Sequence, residues 1–584
     1  MIIGTSRRIA AALPILSAAF LTLATTGYGE TIVFGGGPGS RAWDRSFSEI
    51  KAIDFEATPG SIHPLLNDPE DNIALRLIEQ GGVITSPNAH IELQVTPSSL
   101  DGLLNKMVDG SGDTAFEVKL PRTTGVRFRI DLGERFGINR IRFAPREGFE
   151  DFFLKGYEVA LNDGSEEQTT LNGFPDFRVF RRIERNRDPV VDLLVPLQVV
   201  RFIEVRQLIR GEWEIDEFQI FGEGFARAAA YTSRVLDERG PAVFGDITWA
   251  METIGEPVKV SATVSTRSGR TPDPSDGQEW SRWSAPYRAG VPAQIESPAP
   301  RRYWQFRVLF QSEDIRSAAV LDSIAVEVSP ALADSVVGEV WPQEAVVGPA
   351  TELTYWVRSY NSTGFDRLDI ETPAHIQSVR SVQIDGTEVL DWAQETIVDD
   401  RGDIAGVRIS FPSVSGNDRL LRVVFVSSLL NYHTLFVGRV FDSQRPERLP
   451  LMLNAGDVGA DPAAAGDDLS VTTAVGGDRI IHGLDVNPAP FTPNGDGVND
   501  VAEITYGIAN LTSFAPITVV VYDLAGRPLK MVYSGSDASR SFARLWDGTD
   551  DDGRKLPPGL YVVRVQIDAD IGTESRTAIV PVVY

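Results

Sequence analysis

The chain has 584 residues, no cysteine and a formal net charge of −26. So acidic a balance argues against nucleic acid as a partner, because its phosphates would be repelled, and the lack of thiols excludes disulfides and a cysteine nucleophile. The hydrophobic fraction of 42% is too high for a disordered chain. With 52 Gly, 36 Pro and only short helical patterns, the sequence predicts an all-β, multi-domain chain of β-sandwiches.

The N-terminus has the pattern of an export signal. Arg7 and Arg8 precede an apolar run from Ile9 to Leu23, and small and polar residues follow up to Gly29. The run is too short to span a bilayer and is typical of a signal peptide over residues 1–29. No later apolar stretch approaches membrane-spanning length, so we expect a mature chain without a transmembrane span. Residues 30–60, with several glycines, are interpreted as an extended lead.

Residues 61–225 carry a series of motifs in a recognisable order. They are Val108-Asp109-Gly110, Phe128-Arg129-Ile130-Asp131-Leu132-Gly133, Ile138 to Arg146, Tyr157-Glu158-Val159, Val200 to Val205 and Ile215 to Gly222. This segment resembles the discoidin, or coagulation factor type C, domain, which is a galactose-binding-like jelly roll. The resemblance implies that loops at one end hold a glycan, a lipid head group or a protein, often beside a structural Ca²⁺. Phe116 stands where the family usually has Trp, and the disulfide of its animal members is absent, which leaves the ligand open.

Arginine is dense at one place within this segment. The cluster consists of Arg178, Arg181, Arg182, Arg185 and Arg187, with Glu184 as the one acid among them. Guanidinium groups suit sulfate, carboxylate or phosphate, so the cluster is a candidate binding site for an acidic polysaccharide or for the acidic face of a partner. The alternative is that these side chains line the wet face of an edge strand and discourage aggregation.

Residues 226–330 are predicted to form a second sandwich. Apolar residues alternate from Val258 to Val264 and from Trp304 to Phe310, which is the period of a strand with one buried face. The segment loosely resembles fibronectin type III modules. The loop between these strands contains Trp280 and Trp283, a candidate sugar-stacking platform because aromatic faces pack on pyranose rings. The alternative is that the two indoles pin the loop to its own sandwich.

A third sandwich is predicted for residues 331–477. Leu353, Tyr355 and Val357 recur at every second position, and the run from Leu421 to Val426 is strongly apolar. The end of this segment, residues 454–477, is rich in Gly, Ala and Asp, which predicts a flexible acidic linker or a long loop before the last domain.

Residues 478–584 contain four landmarks in a fixed order. They are Pro493-Asn494-Gly495-Asp496-Gly497, Val519 to Arg527, Trp546 to Gly553 and Pro557-Pro558-Gly559-Leu560-Tyr561. They resemble the Ig-like domain at the end of flagellar hook-capping proteins and at the C-terminus of many secreted or surface proteins of bacteria. The resemblance implies a role in attachment, assembly or secretion. It also permits export by a system that recognises such C-terminal domains and removes them.

Two turns of this last segment are candidate Ca²⁺ sites. The candidate ligands are Asn494, Asp496, Asn499 and Asp500 in the first turn, and Asp550 and Asp552 in the second. Hard oxygen ligands suit Ca²⁺, but the spacing lacks the loop length and the closing Glu of an EF-hand. Because Asn-Gly and Asp-Gly dipeptides mark tight turns, plain turn chemistry is the alternative.

No sequence motif for catalysis stands out. The five histidines have no metal-ligand spacing, and there is no Gly-x-Ser-x-Gly or Walker A segment. The leading hypothesis is a non-catalytic exported protein, extracellular, on the cell surface or in the periplasm of a bacterium, that binds a glycan or an envelope or matrix protein through the discoidin-like segment. The alternative is a secreted polysaccharide-acting enzyme with catalytic carboxylates in a middle domain, because glycosidases need only two carboxyl groups.

Overall fold

The structure, a computed structural model, describes residues 30–119, 124–288, 292–399, 404–459, 466–474, 479–509, 511, 513–570 and 572–584. The predicted signal peptide, residues 1–29, lies outside this part of the chain. Strands account for 57% and helices for 6%. The prediction of an all-β chain of sandwiches is therefore confirmed.

The first strands do not form an extended lead. The elements of this segment are β1 (Glu30–Gly35), β2 (Phe47–Lys51), β3 (Ile53–Asp54), β4 (His63–Pro64) and a 3₁₀ turn at Trp43–Arg45. Val33 of β1 pairs with Ala325, and Ile50 of β2 pairs with Tyr231. Both strands are thus part of the second sandwich, and the jelly roll is an insertion between β2 and the rest of that sandwich.

The jelly roll follows β4. Its strands are β5 (Leu66–Asn67), β6 (Val83–Thr85), β7 (Phe116–Val118), β8 (Arg127–Ala144), β9 (Tyr157–Asn162), β10 (Arg178–Ile183), β11 (Val191–Gln207), β12 (Trp213–Ile215), β13 (Glu217–Gly222) and β14 (Gly224–Phe225). Its helices are α1 (Ala89–Leu93) and α2 (Pro97–Leu104), with 3₁₀ turns at Ile73–Arg76, Asn105–Met107, Glu150–Phe152 and Glu166–Gln168.

Two long strands connect the sheets of the jelly roll. The first half of β8 and the second half of β11 belong to an antiparallel sheet of order β6-β8-β11-β9-β10. The second half of β8 pairs with the first half of β11 and with β13. Register shifts in β11 and the positive φ of Gly133 accompany the bend between the halves. Side chains on the buried faces of these strands, such as Phe128, Ile203 and Phe218, fill the core between the sheets.

The second sandwich resumes after β14. Its remaining strands are β15 (Ala228–Ser233), β16 (Leu236–Ile254), β17 (Val260–Gly269), β18 (Ala293–Gln294), β19 (Arg301–Ser312) and β20 (Ala318–Pro330), with a 3₁₀ turn at Pro257–Lys259. The strand order is β1-β20-β16-β19-β15-β2, with β17 on β19 and β18 on β16. The alternation predicted along β17 and β19 is present, since Val264, Phe306 and Val308 are buried.

The third sandwich has its own core. Its strands are β21 (Ser335–Trp341), β22 (Glu344–Val346), β23 (Ala350–Tyr360), β24 (Ser362–Glu371), β25 (His375–Ile384), β26 (Thr387–Glu388), β27 (Ala393–Val398), β28 (Ile404–Gly416), β29 (Arg419–Ser428), β30 (His433–Leu435), β31 (Val437–Phe441), β32 (Leu451–Met452), β33 (Asn454–Ala455) and β34 (Ser470–Ala474). β33 pairs with β21, and β34 pairs with β22 and β30. The described parts of the predicted linker are therefore built into this sandwich, while residues 460–465 and 475–477 of it lie outside the described chain.

The last domain packs a three-stranded sheet against a four-stranded one. Its strands are β35 (Ile481–Asn487), β36 (Ala502–Ile508), β37 (Ala515–Tyr522), β38 (Pro528–Asp537), β39 (Arg540–Trp546), β40 (Gly559–Ala569) and β41 (Gly572–Val582). The orders are β35-β36-β39 and β38-β37-β40-β41. The alternation of Tyr561, Val563 and Val565 faces the core beside the buried Trp546, as an Ig-like sandwich requires.

Candidate functional site

Three loops emerge together at one end of the jelly roll. Tyr157 at the start of β9 pairs with Ile183 at the end of β10 and with Gln207 at the end of β11. The loops next to these strand ends are residues 145–156, 184–190 and 208–212. We call the surface that they form the end-loop face.

Hydrogen bonds fasten these loops to one another. The amide of Asn186 donates to the carbonyl oxygen of Lys155 at 2.7 Å, and the amide of Leu208 donates to that of Gly156 at 2.9 Å. The side-chain Nδ2 of Asn186 donates to the carbonyl oxygen of Leu154 at 3.0 Å. The end-loop face therefore has a defined shape before any ligand arrives.

Two phenylalanine rings are exposed on the end-loop face. Phe149 is 43% exposed and Phe152 is 38% exposed, with ring centroids 6.2 Å apart. The guanidinium of Arg146 lies 4.4 Å from the Phe149 centroid. The Nη2 of Arg146 donates to Glu214 at 2.6 Å and also donates to Glu117. These two carboxylates raise the pKa of Arg146 far above its ordinary value. Phe149 is thus supported by an arginine that ion pairs hold in place, and Phe152 lies beside Phe149.

Phe149 and Phe152 are not among the residues predicted from the sequence. The available signal is the occurrence of Phe149, Phe152 and Phe153 in a turn-rich segment, where no strand needs them for a buried face. The convergence of this loop with two others far away in sequence follows only from the strand pairing. Local pattern alone therefore does not identify the face.

Charges of both signs surround the two rings. The exposed charged residues of the end-loop face are Glu147, Glu150, Asp151, Glu184, Arg185, Arg187, Asp188, Arg210 and Glu212. Lys155 is half-buried, with its Nζ 3.4 Å from the Phe153 centroid. The face combines apolar rings with many hydrogen-bonding groups and is not a positively charged patch.

The structure divides the predicted arginine cluster between two places. Arg178, Arg181 and Arg182 lie on β10, which is the edge strand of its sheet. Arg185 and Arg187 belong to the end-loop face. The cluster as a whole is exposed, so its position is compatible with both readings of it, ligand binding and protection of a strand edge.

The arginines of β10 differ in their partners. Arg182 donates to Glu158 at 2.7 Å and lies 3.6 Å from Glu184. Arg178 and Arg181 have no carboxylate within 4.0 Å among the residues that the structure describes. Two guanidinium groups on this edge are therefore available to an external anion.

The two tryptophans of the second sandwich do not form a common exposed platform. Trp280 is 6% exposed, and its Nε1 donates to the carbonyl oxygen of Thr271 at 2.9 Å. Its ring lies so close to Gly269 that a Cβ there would come within 2.4 Å of it. Trp280 thus pins its loop, while Trp283 is half-buried and lies near two arginines.

The oxygens of the first candidate Ca²⁺ turn are already engaged. Asp500 accepts from the amides of Gly495 at 2.5 Å and Gly497 at 2.7 Å, which lower its pKa. The side chain of Asp496 accepts from the amide of Val498 at 2.8 Å. In the same turn the Asn494 side chain accepts from the Asp496 amide, and Asn499 has a φ of 58°. This is the geometry of a tight turn.

The second candidate turn is similar. Asp550 accepts from the amides of Asp552 at 3.0 Å and Arg554 at 2.8 Å, and Asp552 pairs with the Arg554 side chain at 2.8 Å. In the described part of the chain no three His, Asp or Glu side chains are grouped to hold a metal ion. Calcium at either turn stays a prediction.

One carboxylate in the jelly roll differs from those of the turns. Burial raises the pKa of Glu217 to about 7, and the negative charges of Asp109 and Asp216 add to the effect. The amides of Gly110 and Ser111 offset part of it, but neither Glu217 oxygen has a hydrogen-bond partner of proper geometry among the described residues. A hard cation would satisfy such a carboxylate.

Of four cavities on the described chain, none is lined by a pair of carboxylates. The four are lined by Asp334, Glu313, Asp44 and Glu49 respectively, one acid each. A glycosidase needs two carboxyl groups facing the same sugar. The enzyme hypothesis thus gains nothing from these surfaces.

A family comparison identifies the last domain. Residues 486–581 match the family model described as CHU_C Type IX secretion signal domain. A type IX secretion signal domain is therefore present at the C-terminus, and the chain is an exported protein. The match is to this family and not to the flagellar hook-capping one that the landmarks also resemble.

Comparison with solved structures returned carbohydrate-binding modules. CpGH89CBM32-5 from Clostridium perfringens, in complex with GalNAc-β-1,3-galactose, is 18% identical over 24% of this chain and 94% of that chain, with a TM-score of 0.18. Chitosan-binding module 1 from a chitosanase/glucanase of Paenibacillus sp. IK-5 is 15% identical over 26% and 100%, with a TM-score of 0.20. A fucose binding module of Streptococcus pneumoniae is 18% identical over 27% and 99%, with a TM-score of 0.20. These likenesses do not identify a ligand of this chain.

No curated protein matches the chain significantly. Within the described residues, no helix is both long enough and apolar enough to cross a bilayer.

Proposed function

We propose that this protein is an exported, non-catalytic binding protein whose jelly roll binds a glycan at the end-loop face. The observation that carries the proposal is the exposed pair Phe149 and Phe152, of which Phe149 lies on ion-paired Arg146, beside a rim of polar groups. Neighbouring exposed aromatic rings form an apolar patch, and such patches mark binding surfaces when polar groups surround them. A sugar ring offers an apolar face for the phenyl rings and hydroxyls for the charged rim.

The fixed geometry of the loops supports this assignment. Because Asn186 and Leu208 tie the loops together through backbone bonds, little conformational entropy is lost on binding. A protein partner would be expected to cover a larger and more apolar area. The mixed charges favour a glycan whose hydroxyls accept and donate hydrogen bonds.

The test compares a double variant and a control variant of the mature chain on a glycan array, followed by calorimetry with the best ligand. Phe149→Ala together with Phe152→Ala is expected to weaken binding by about tenfold or more. Phe174→Ala is the matched control, since Phe174 is 65% exposed in the loop between β9 and β10, away from the end-loop face. Loss of binding in the control but not in the double variant would refute the location.

The C-terminal domain is proposed to deliver this binding surface to the outside of the cell. The match of residues 486–581 to a type IX secretion signal domain supports this role. In a bacterium with that secretion system, deletion of residues 478–584 is expected to abolish appearance of the protein on the cell surface and in the medium. Equal surface display without this segment would mean that the domain is an attachment or spacer module.

The same proposal assigns any bound Ca²⁺ to the jelly roll. Among the described residues the buried oxygens of Glu217 have no hydrogen-bond partner, whereas Asp500 and Asp550 already accept two amides each. Glu217 would be one ligand of the ion, and backbone carbonyls would have to complete the shell, because no three His, Asp or Glu side chains of the described chain are grouped to hold a metal ion. Bound there, Ca²⁺ would neutralise the buried negative charge.

A further inference from the structure

A cavity on the outer face of the second sandwich is unrelated to the end-loop face. Its volume is about 230 Å³. Thr232, Arg307 and Leu309 form its floor, and Trp283, Glu49 and Lys51 stand around it. The floor belongs to β15 and β19, and β2 supplies the far wall.

Strand register places two arginines side by side at this cavity. In the pairing of β17 with β19, Arg267 lies opposite Gln305, and Ser265 lies opposite Arg307. Since side chains alternate between faces, Arg267 and Arg307 share the outer face as diagonal neighbours. The opposite face of β19 is committed to the core through Phe306.

Trp283 reaches the same place from the loop that follows β17. The amide of Ser281 donates to the Ser268 carbonyl oxygen at 2.9 Å, and that of Ser284 donates to the Thr266 carbonyl oxygen at 2.8 Å. These bonds run the loop along the free edge of β17. The Trp283 ring centroid consequently lies 4.5 Å from the Arg267 guanidinium and 4.8 Å from that of Arg307.

The positive charge at this cavity is not balanced. Arg267 donates to neutral acceptors, the side-chain oxygen of Gln305 and the carbonyl oxygen of Pro274. The Nε of Arg307 is buried and has no hydrogen-bond partner among the described residues. In the described part of the chain neither arginine has a carboxylate within 4.0 Å. Burial lowers the pKa of Arg267, and the charge of Arg307 lowers it further.

The remaining charged groups of the lining do not cancel this excess. Lys51 is paired with Glu134 at 2.7 Å, and Glu49 is exposed on the rim. An anion between Arg267 and Arg307 would relieve the repulsion between these two like charges.

We propose that this cavity binds the carboxylate of an acidic sugar, with Arg307 and Arg267 on the carboxylate and the Trp283 indole beside the sugar ring. A planar carboxylate matches the fork of donors on a guanidinium. Since a water molecule takes about 30 Å³, the cavity holds a carboxylate with part of its ring and leaves the rest of the saccharide outside. The indole favours a sugar over an acidic peptide, because it presents an apolar surface next to the anion site.

The test is calorimetry of the mature full-length chain with a trimer of galacturonic acid, with a neutral galactose trimer as the comparison. We expect the acidic trimer to bind at least about tenfold more tightly than the neutral one. Arg307→Gln should weaken the acidic trimer by about tenfold or more, and Trp283→Ala should weaken it several-fold. Arg282→Gln is the control, because Arg282 is exposed in the same loop and does not line the cavity.

Three outcomes would overturn the proposal. Equal affinity for the acidic and neutral trimers would show that the carboxylate is not recognised. Unchanged binding in Arg307→Gln would show that the ligand does not bind at this cavity. A glutamate tripeptide that binds as tightly and with the same dependence on Arg307 would make the occupant a peptide. If Arg307→Gln fails to fold, Arg307→Lys serves instead, since it keeps the charge and loses the fork. The variant with Phe149→Ala and Phe152→Ala must bind the acidic trimer normally, which separates this site from the end-loop face.

Discussion

The jelly roll and the C-terminal Ig-like domain contain the same kinds of charged side chain and employ them differently. In the C-terminal domain the Asp500 carboxylate accepts two backbone amides, and Arg554 is paired with Asp552. In the described jelly roll, neither carboxylate oxygen of Glu217 has a hydrogen-bond partner of proper geometry, and Arg181 has no carboxylate within 4.0 Å. A charged group whose partners are internal stabilises its own domain, whereas one without partners is available to something outside it. The two domains therefore differ in how these charged groups are partnered within the domain.

The largest expected effect is on binding to an anionic polysaccharide such as heparin. Replacement of Arg181, Arg182 and Arg185 by Ala should abolish it, and binding by the parent chain should weaken steeply with added NaCl because surface charges are screened over about 8 Å at physiological salt. The control is the double replacement of Arg527 and Arg554, which are exposed and already paired. Binding is measured by surface plasmon resonance at several salt concentrations.

Single variants sharpen this test. Arg182→Ala alone should have a smaller effect than Arg181→Ala, because Arg182 is engaged with Glu158. If the triple variant unfolds, the arginines are structural. If it binds unchanged, the anion does not bind along β10.

The second effect concerns Glu217, whose folded-state pKa of about 7 lies above its ordinary value. The folded chain holds this proton more tightly than the unfolded chain does. Protonation of Glu217 therefore stabilises the fold fully below pH ~4.5, and this stabilisation is lost as the pH rises through 7. Discounted for the partial exposure of Glu217, the pKa shift corresponds to about 2 kcal/mol in the free energy of unfolding. Glu217→Gln should therefore be more stable than the parent at pH 8 and show little change between pH 5.5 and 8.

Native-state hydrogen exchange of residues 213–222 measures this locally. Exposed Glu184→Gln is the control and should leave the pH dependence as it is. Ca²⁺ at pH 8 should stabilise the parent and not Glu217→Gln. If the protection of residues 213–222 against exchange does not change with pH in the parent chain, burial of the charged Glu217 carboxylate does not destabilise the fold.

A smaller loss of stability is expected in the C-terminal domain when one of its paired carboxylates is removed. Asp500→Ala leaves the amides of Gly495 and Gly497 without their acceptor, and the melting temperature of the C-terminal domain should fall by about 4 °C at pH 7. Since the pKa of Asp500 is lowered in the folded state, its contribution is present above pH ~4 and is lost as the pH falls further. Differential scanning calorimetry at pH 7 and pH 3 checks both statements, with exposed Asp568→Ala as the control.

The smallest effect is that of removing Ca²⁺ from the C-terminal domain. With the carboxylates of both turns occupied by amides, EDTA should shift the calorimetric transition of this domain by less than about 1 °C. A drop of several degrees that Asp500→Ala or Asp550→Ala abolishes would establish an ion in these turns. It would also break the contrast with the jelly roll.

Local pattern predicts the strands well and their partners poorly. The alternation around Val563 and the turns at Asn494-Gly495 and Asp552-Gly553 depend on neighbours in sequence, and the structure has them where expected. The pairing of Val33 with Ala325 joins residues on either side of an entire domain. No periodicity within residues 30–60 specifies such a partner, which is why this segment reads as a lead.

The same limit applies to the candidate site. The arginine cluster is visible in the sequence because it is contiguous, but its division between β10 and the end-loop face is set by where β10 ends. Phe149 becomes part of a surface only when its loop meets the loops around Asn186 and Leu208. Trp280 and Trp283 are three residues apart, yet their burial differs because Gly269 makes room for one of them alone.

The insertion of the jelly roll between β2 and β15 has a mechanical consequence. The chain enters the jelly roll beyond Lys51 and returns before Ala230, and these two residues are paired neighbours in one sheet. A force applied to the jelly roll is therefore divided between two adjacent strands, whereas a domain at the end of a chain is connected through one strand only. Each of the two strands carries part of the force, and the hydrogen bonds between β2 and β15 hold the two strands together while the force acts.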